Sequence, residues 1–483
     1  MKLTQIASAI ALSSLLIACG SGSSDNNSAA INIDNVQKVV DTNADIAFAA
    51  YSDSLATAKL LQAALANFKA NPNNENLIAA KKAWLVSREP YGQTEVYRFR
   101  NSPIDSSDYL TEDGPEGDIN AWPLGEALID YVETNATDFT ADQVGVTTNA
   151  VNVNSNGVVD GLTVTDNIIA NTNITIDSAL LANTATADDE HDVIAGYHAI
   201  EFMLWGQDLN ITDQTTTNGT DRGNANNSTS TGGQRPISDF EYLDVNNQTD
   251  MTDIAVRRHA FLDIAVEKLI ADLEGVLNGW EDNVVGNYRD QFTTVANTAQ
   301  AKQKLTEILT GMGTLSEGEL AGERMQIALV NNSQEDEHSC FSDNTHRDIW
   351  LNAEGVANSF YGEYAGYDST QDGVDNITTS LVSGYGIDDY LKDAGLNSLS
   401  VQVASALSLT KTNYTAIDTS ARNGSPFDVL IQTLDATGDV AKTIVSLNSQ
   451  ANLINDIAQQ LGLGDVVDAD ASDCDTSTPT AGC

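Results

Sequence analysis

Apolar residues recur at helical spacing along most of this chain, and the points where the rhythm fails mark out its plan. From Asp34 to Phe68, Val36, Val39, Val40, Ala47, Tyr51, Leu61, Leu65 and Phe68 fall on one side of a helical projection, and Asn71-Pro72-Asn73 stops the run. One long amphipathic helix is predicted there. A second is expected from about Asn74, carrying Leu77, Ala80, Trp84, Tyr91 and Phe99, with a kink at Pro90. Arg88 and Glu95 share the Trp84 and Tyr91 face, either as an ion pair inside a bundle or as part of a site. Further helices are expected over 193–205, 253–280, 319–346, 349–364, 399–409 and 439–461. Two stretches break the rhythm. Residues 135–188, rich in Thr, Asn, Val and Asp, predict strands and turns in an insertion outside the bundle core, and 210–234 is a polar low-complexity loop. The pattern predicts an all-α fold of two helical lobes, 32–245 and 246–465, followed by an acidic tail, 466–483. Each half runs as long helix, long helix, polar loop and further helices, an order that hints at internal duplication.

Length supports two lobes, since 483 residues exceed what one core usually organises. Charge narrows the partners. With 23 Lys and Arg against 69 Asp and Glu, the net charge of −46 argues against nucleic acid, whose phosphates would be repelled, and leaves metal cations or a solvated surface suited to a saline medium. The first 19 residues have a charged start, a short apolar run and Leu16-Ile17-Ala18-Cys19-Gly20. This resembles a bacterial lipoprotein signal, which implies cleavage before Cys19, lipidation of its thiol and a flexible tether over 20–31. Gly20 in place of Asp then implies outer-membrane retention, facing the periplasm or the cell surface. A cleaved secretory peptide without lipid is the alternative. Among the remaining cysteines, Cys474 could pair with Cys483, or Cys340 with either.

The sharpest anomaly is Gly196-Tyr197-His198-Ala199-Ile200-Glu201, within the nearly unbroken apolar run from Val193 to Trp205. His198 and Glu201 share a face with Ile194 and Trp205, and His191 lies near the same stripe. A carboxylate buried without a partner costs several kcal/mol or takes up a proton, so Glu201 requires a cation, a hydrogen-bonding cluster or a metal. Histidine and carboxylate one helical turn apart are the ligands from which helix-bundle iron sites are built, although a structural hydrogen-bonded pair has the same spacing. A second cluster supports the metal reading: Glu335, His338, Asp343 and His346 crowd one segment, and Glu335, His338, Ser342 and His346 would line one stripe if it stayed helical. Such donors suit iron, manganese or zinc. Asp368, Asp372 and Asp375 only loosely approach a calcium loop. No H-E-x-x-H, G-x-S-x-G or phosphate-binding glycine loop is present.

Gly196, His198 and Glu201, with Leu204-Trp205-Gly206 behind them, resemble the G-x-H-x-x-E signature of imelysin-like proteins. The segments QEDEHSCFSDNTH and GPEGDINAWPLGEALIDYV are similar to those of the iron-regulated protein A branch. The resemblance implies a two-lobe bundle, a cell-envelope location and a link to iron supply, with His198 and Glu201 at the signature's polar positions. It leaves three readings. The favoured one is a lipid-anchored protein binding iron, another divalent metal, an iron chelate or haem, in company with envelope iron-uptake proteins. A metallopeptidase and a non-catalytic binding module are the others.

Overall fold

A computed structural model describes residues 29–131, 151–152, 160–162, 167–181, 193–208, 232–233, 235–334, 336–373, 376, 381–467 and 474–483. It is mostly helical. The first helix, α1 (Ile33–Ala70), starts where the Asn32 side chain accepts the Asn35 amide, and α2 (Asn74–Gly92) starts on Asn73 in the same way. Both caps supply an acceptor for an amide that has no partner inside the helix. Pro90 stops α2 instead of kinking it. The helix ends two residues later and the chain turns through a 3₁₀ segment, Glu95–Tyr97, so Glu95 leaves the helix that carries Arg88. After α3 (Gly196–Trp205) come α4 (Ile254–Gly279) and α5 (Thr298–Thr314). A π-helical segment, Leu315–Gln326, continues α5 into the short α6 (Ile327–Asn331). The remaining long helices are α7 (Thr345–Tyr361), α8 (Asn397–Arg422) and α9 (Asp439–Leu461). No described helix is long and apolar enough to cross a membrane.

The larger core draws on residues from both sides of position 245. It joins α1, α2, α3, α4 and α5 with Phe341, Val356 and Phe360, and α1 packs against α2 and α4. A smaller core lies between the π-helical segment, α7, α8 and α9, around Leu320, Ile349, Ile417 and Ile444.

Two expectations need correction. The 319–346 helix does not form as one piece: Asn332 adopts a left-handed conformation that ends α6, and turns fill the interval up to Thr345. Nor does all of the 135–188 insertion lie outside the core. A short antiparallel pair, Val151–Asn152 with Asp160–Leu162, fits the strand expectation. Ile168, Ile169, Ile174, Leu180 and Leu181, however, are buried in the main core, and the Arg257 guanidinium binds the carbonyls of Ile168, Ile169, Asn171 and Ile174. Four acceptors converging on one cation make a loop this polar compatible with burial. Asp368 closes its own loop by accepting the Thr370, Gln371 and Gly373 amides, and Asp375 lies outside the described residues. Cys474 and Cys483 are joined, and Cys340 is buried apart from that disulfide.

Candidate functional site

The site is built around the first turn of α3. Gly196 has φ +80°, and a Cβ there would stand 2.4 Å from the Ile119 carbonyl oxygen. Only glycine satisfies both constraints, so the glycine ahead of the His-x-x-Glu pair seats α3 against the Asp118–Asn120 backbone. Gly196→Ala is expected to destabilise the fold by about 1–3 kcal/mol, the usual cost of a left-handed non-glycine residue, with the enforced separation added to it. Denaturant unfolding would measure this, and an unchanged midpoint would refute the close-approach argument.

All ten residues of α3 are buried. His198 Nδ1 lies 2.9 Å from Glu201 Oε2, while Glu201 Oε1 accepts from the backbone amide and the hydroxyl of Ser342 at 2.9 and 2.6 Å. Burial pushes the Glu201 carboxyl up to about 8, against the Ser342 hydrogen bonds and with help from nearby Asp348. Burial also holds His198 well below its ordinary value, and His338 adds to the effect. The resting pair is therefore neutral at pH 7, with the Glu201 hydroxyl donating to His198 Nδ1. His198 Nε2 is buried with no hydrogen-bond partner among the described residues.

His338 stands beside it, its ring centre 4.6 Å from that of His198 and nearly perpendicular. It repeats the same device with different partners. His338 Nδ1 lies 2.9 Å from Asp348 Oδ2, which also accepts from the Ser339 hydroxyl, while Asp348 Oδ1 pairs with Arg88 at 3.1 Å. Burial alone would raise the Asp348 carboxyl, but Arg88, His338 and the Ser339 hydrogen bond hold it well below the usual carboxylate range. His338 itself is lowered to about 4 by burial and by Arg324. Arg88 lies over the rings of Tyr197, Tyr91 and Trp84 and donates to the Asn120 side-chain oxygen. Asn120 Nδ2 donates to Glu95 Oε1 at 3.3 Å and faces His338 Nε2 at 3.5 Å. Although burial opposes it, Glu95 is held at about 2 by Arg98 and Arg324. Arg98 and Glu116 in turn line a cleft of about 450 Å³.

The structure thus brings together His198, Glu201, His338 and Arg88, and joins Glu95 to them through Asn120. It does not bring in Asp343 or His346. His346 Nδ1 lies 2.9 Å from the Asp343 carbonyl and its Nε2 3.7 Å from Asp418, whereas the Asp343 carboxyl faces Asp208 and Asp428. Glu335, His191 and Cys19 lie outside the described residues. Sequence reasoning placed Ser342 on the second stripe without its bond to Glu201, and it missed Asp348, Asn120, Arg324 and Trp122, whose ring meets His338 edge-on. Asn120 and Trp122 do lie in a segment flagged by the resemblance.

Residues 47–454 match the model of a peptidase family described as Imelysin. No curated protein matches the chain significantly. Among solved structures, the chain is similar to one described as an iron-regulated protein A precursor from Parabacteroides distasonis, with 16% identity over 90% of this chain and 96% of that one and a TM-score of 0.54. It is likewise similar to an imelysin-like protein from Psychrobacter arcticum, with 16% identity, 90% and 98% coverage and a TM-score of 0.52. At that identity the two structures speak to the fold alone.

Proposed function

The chain belongs to the imelysin family, and on that premise we propose that it is an iron-related protein of the cell envelope that binds a metal ion, free or chelated, through Nε2 of His198 and of His338. One observation carries the reading: two buried imidazoles stand side by side, each with Nδ1 on a carboxylate. Metal-ligating histidines characteristically hand their second ring nitrogen to a carboxylate, which fixes the tautomer and raises basicity. Both rings are held neutral by burial, as a ligand must be. In this reading Glu201 orients His198 instead of ligating, because both of its oxygens are already engaged. Iron, or another divalent metal, would supply a positive charge between the rings. The site's own residues exclude water, fix the rings and hold the exchangeable proton on Glu201.

Binding is favoured over peptide hydrolysis, since a catalytic zinc usually has three protein ligands and this pair supplies two. The iron-regulated description of the Parabacteroides structure suggests iron as the metal. Lipidation at Cys19, attachment to the outer membrane and envelope iron-uptake partners complete the proposal. Metal content of the protein purified without chelators tests it. Near-stoichiometric iron or another divalent transition metal is expected, and it should be absent from a His198→Ala, His338→Ala variant that still folds. Equal metal in both would refute the site, and none in either would refute the function.

A further inference from the structure

Three carboxyls that belong to neither imidazole pair converge from distant parts of the chain. Asp208 follows α3, Asp343 ends the turn before α7, and Asp428 lies on the short helix Phe427–Leu430. Each offers an oxygen within 4.8 Å of the others. Asp428 is fully buried and Asp343 is 7% exposed, while Asp208 is partly open to solvent. A group of acids alone would mean little. The second observation is Asp343 itself, neither of whose oxygens finds a hydrogen-bond donor of good geometry among the described residues. Burial acts on it most strongly, the neighbouring acids Asp208 and Asp428 come next, and the Gly232 amide gives only partial relief. A carboxyl in that position must keep a proton or acquire a cation.

We propose that Asp208, Asp343 and Asp428 form a second site, distinct from the imidazole pair, that takes a hard divalent cation of the calcium class. The donors are all carboxylate oxygens, with no nitrogen or sulfur, which selects hard cations over transition metals. Burial favours calcium. Magnesium dehydrates reluctantly and usually keeps several waters on one or two carboxylates, whereas calcium readily takes a larger set of protein oxygens. Three carboxyls, two of them buried, suit the second ion better. Asp208, the exposed member, gives the ion its way in. A cation here would staple three distant parts of the chain, one of them carrying Ser342, which holds Glu201.

Calcium titration into the chelator-treated protein, followed by calorimetry and by thermal melting, tests the proposal. One calcium per chain and a raised melting temperature are expected. Asp343→Asn and Asp428→Asn should each weaken binding by about tenfold or more, yet melt no lower than wild type without calcium, because each removes a repelling charge. Calcium binding should survive His198→Ala, so its fate is independent of the metal reading above. The proposal is overturned if calcium at several millimolar, the weak end for extracellular modules, produces neither heat nor a melting shift. It is equally overturned if the Asn variants bind as wild type does, or if His198→Ala abolishes calcium binding.

Discussion

Asp348→Ala is expected to lower the unfolding free energy by about 3–5 kcal/mol, the cost of removing one partner from a buried ion pair. Arg88 and Asp348 are each about 1% exposed, and they join α2 to α7 across the site. Without the carboxylate, the guanidinium remains buried with the Asn120 oxygen and three aromatic rings as its compensation among the described residues. Losing a salt bridge is the smaller part of the effect, and stranding a charge the larger. It follows that Arg88→Met combined with Asp348→Leu should recover much of the loss, because no charge is then left unpaired. Denaturant unfolding of the two singles and the double closes the cycle. A double variant as unstable as the sum of its singles would show that the pair matters for packing and not for charge.

Metal binding at His198 is expected to displace about one proton per metal at pH 7 and to tighten by up to about tenfold per pH unit until pH reaches about 8, where the Glu201 carboxyl ionises. The reason is the tautomer. A ligand lone pair on Nε2 requires the ring proton on Nδ1, donated to Glu201, and Glu201 must then be ionised to accept it. In the resting state Glu201 holds the proton, so binding has to expel it. The same shift sets the sign for stability without metal. The folded carboxyl titrates near 8 against an ordinary 4.5, so its contribution is fully present below 4.5 and is lost as pH rises from there to 8. Glu201→Gln should abolish the displaced proton, flatten the pH slope and weaken binding by about 10–100-fold, the usual range for a residue that orients a ligand. Calorimetry in two buffers of different ionisation enthalpy counts the protons. A count near zero in the wild type would place the resting proton elsewhere and undo this account of Glu201.

What could be read from the residues, and what could not, divides along physical lines. Helix α1 was expected over Asp34–Phe68 and runs from Ile33 to Ala70, because its apolar stripe and its Asn-Pro stop are both local signals. His198 and Glu201 stood out because two ionisable groups in a wholly apolar helix are an energetic anomaly that sequence alone exposes. Asp348 was hidden for the opposite reason. Its bond to His338 spans a turn, where helical spacing predicts nothing, and the stripe drawn through Glu335, His338 and His346 assumed a helix that ends at Asn331. Arg324 sits on π-helical backbone, whose wider turn puts it off any face counted at 3.6 residues, so its bond to Glu95 left no trace in the spacing. The buried part of the insertion was missed because composition reports average polarity. It cannot reveal that Arg257 gathers the loop's carbonyls.

Glu201 is held by Ser342, 141 positions further along the chain. Contacts of such long range carry a loop-closure cost and form after local helices, so the His198 and Glu201 pair is complete only once the far end of the molecule has arrived. A nascent chain that has synthesised α3 possesses the histidine and the glutamate but not yet the Ser342 donors that hold the glutamate. On the proposed function, capture would thereby be tied to completed folding, and a bound ion would act chiefly as a brake on unfolding, since the contacts it stabilises are those made last.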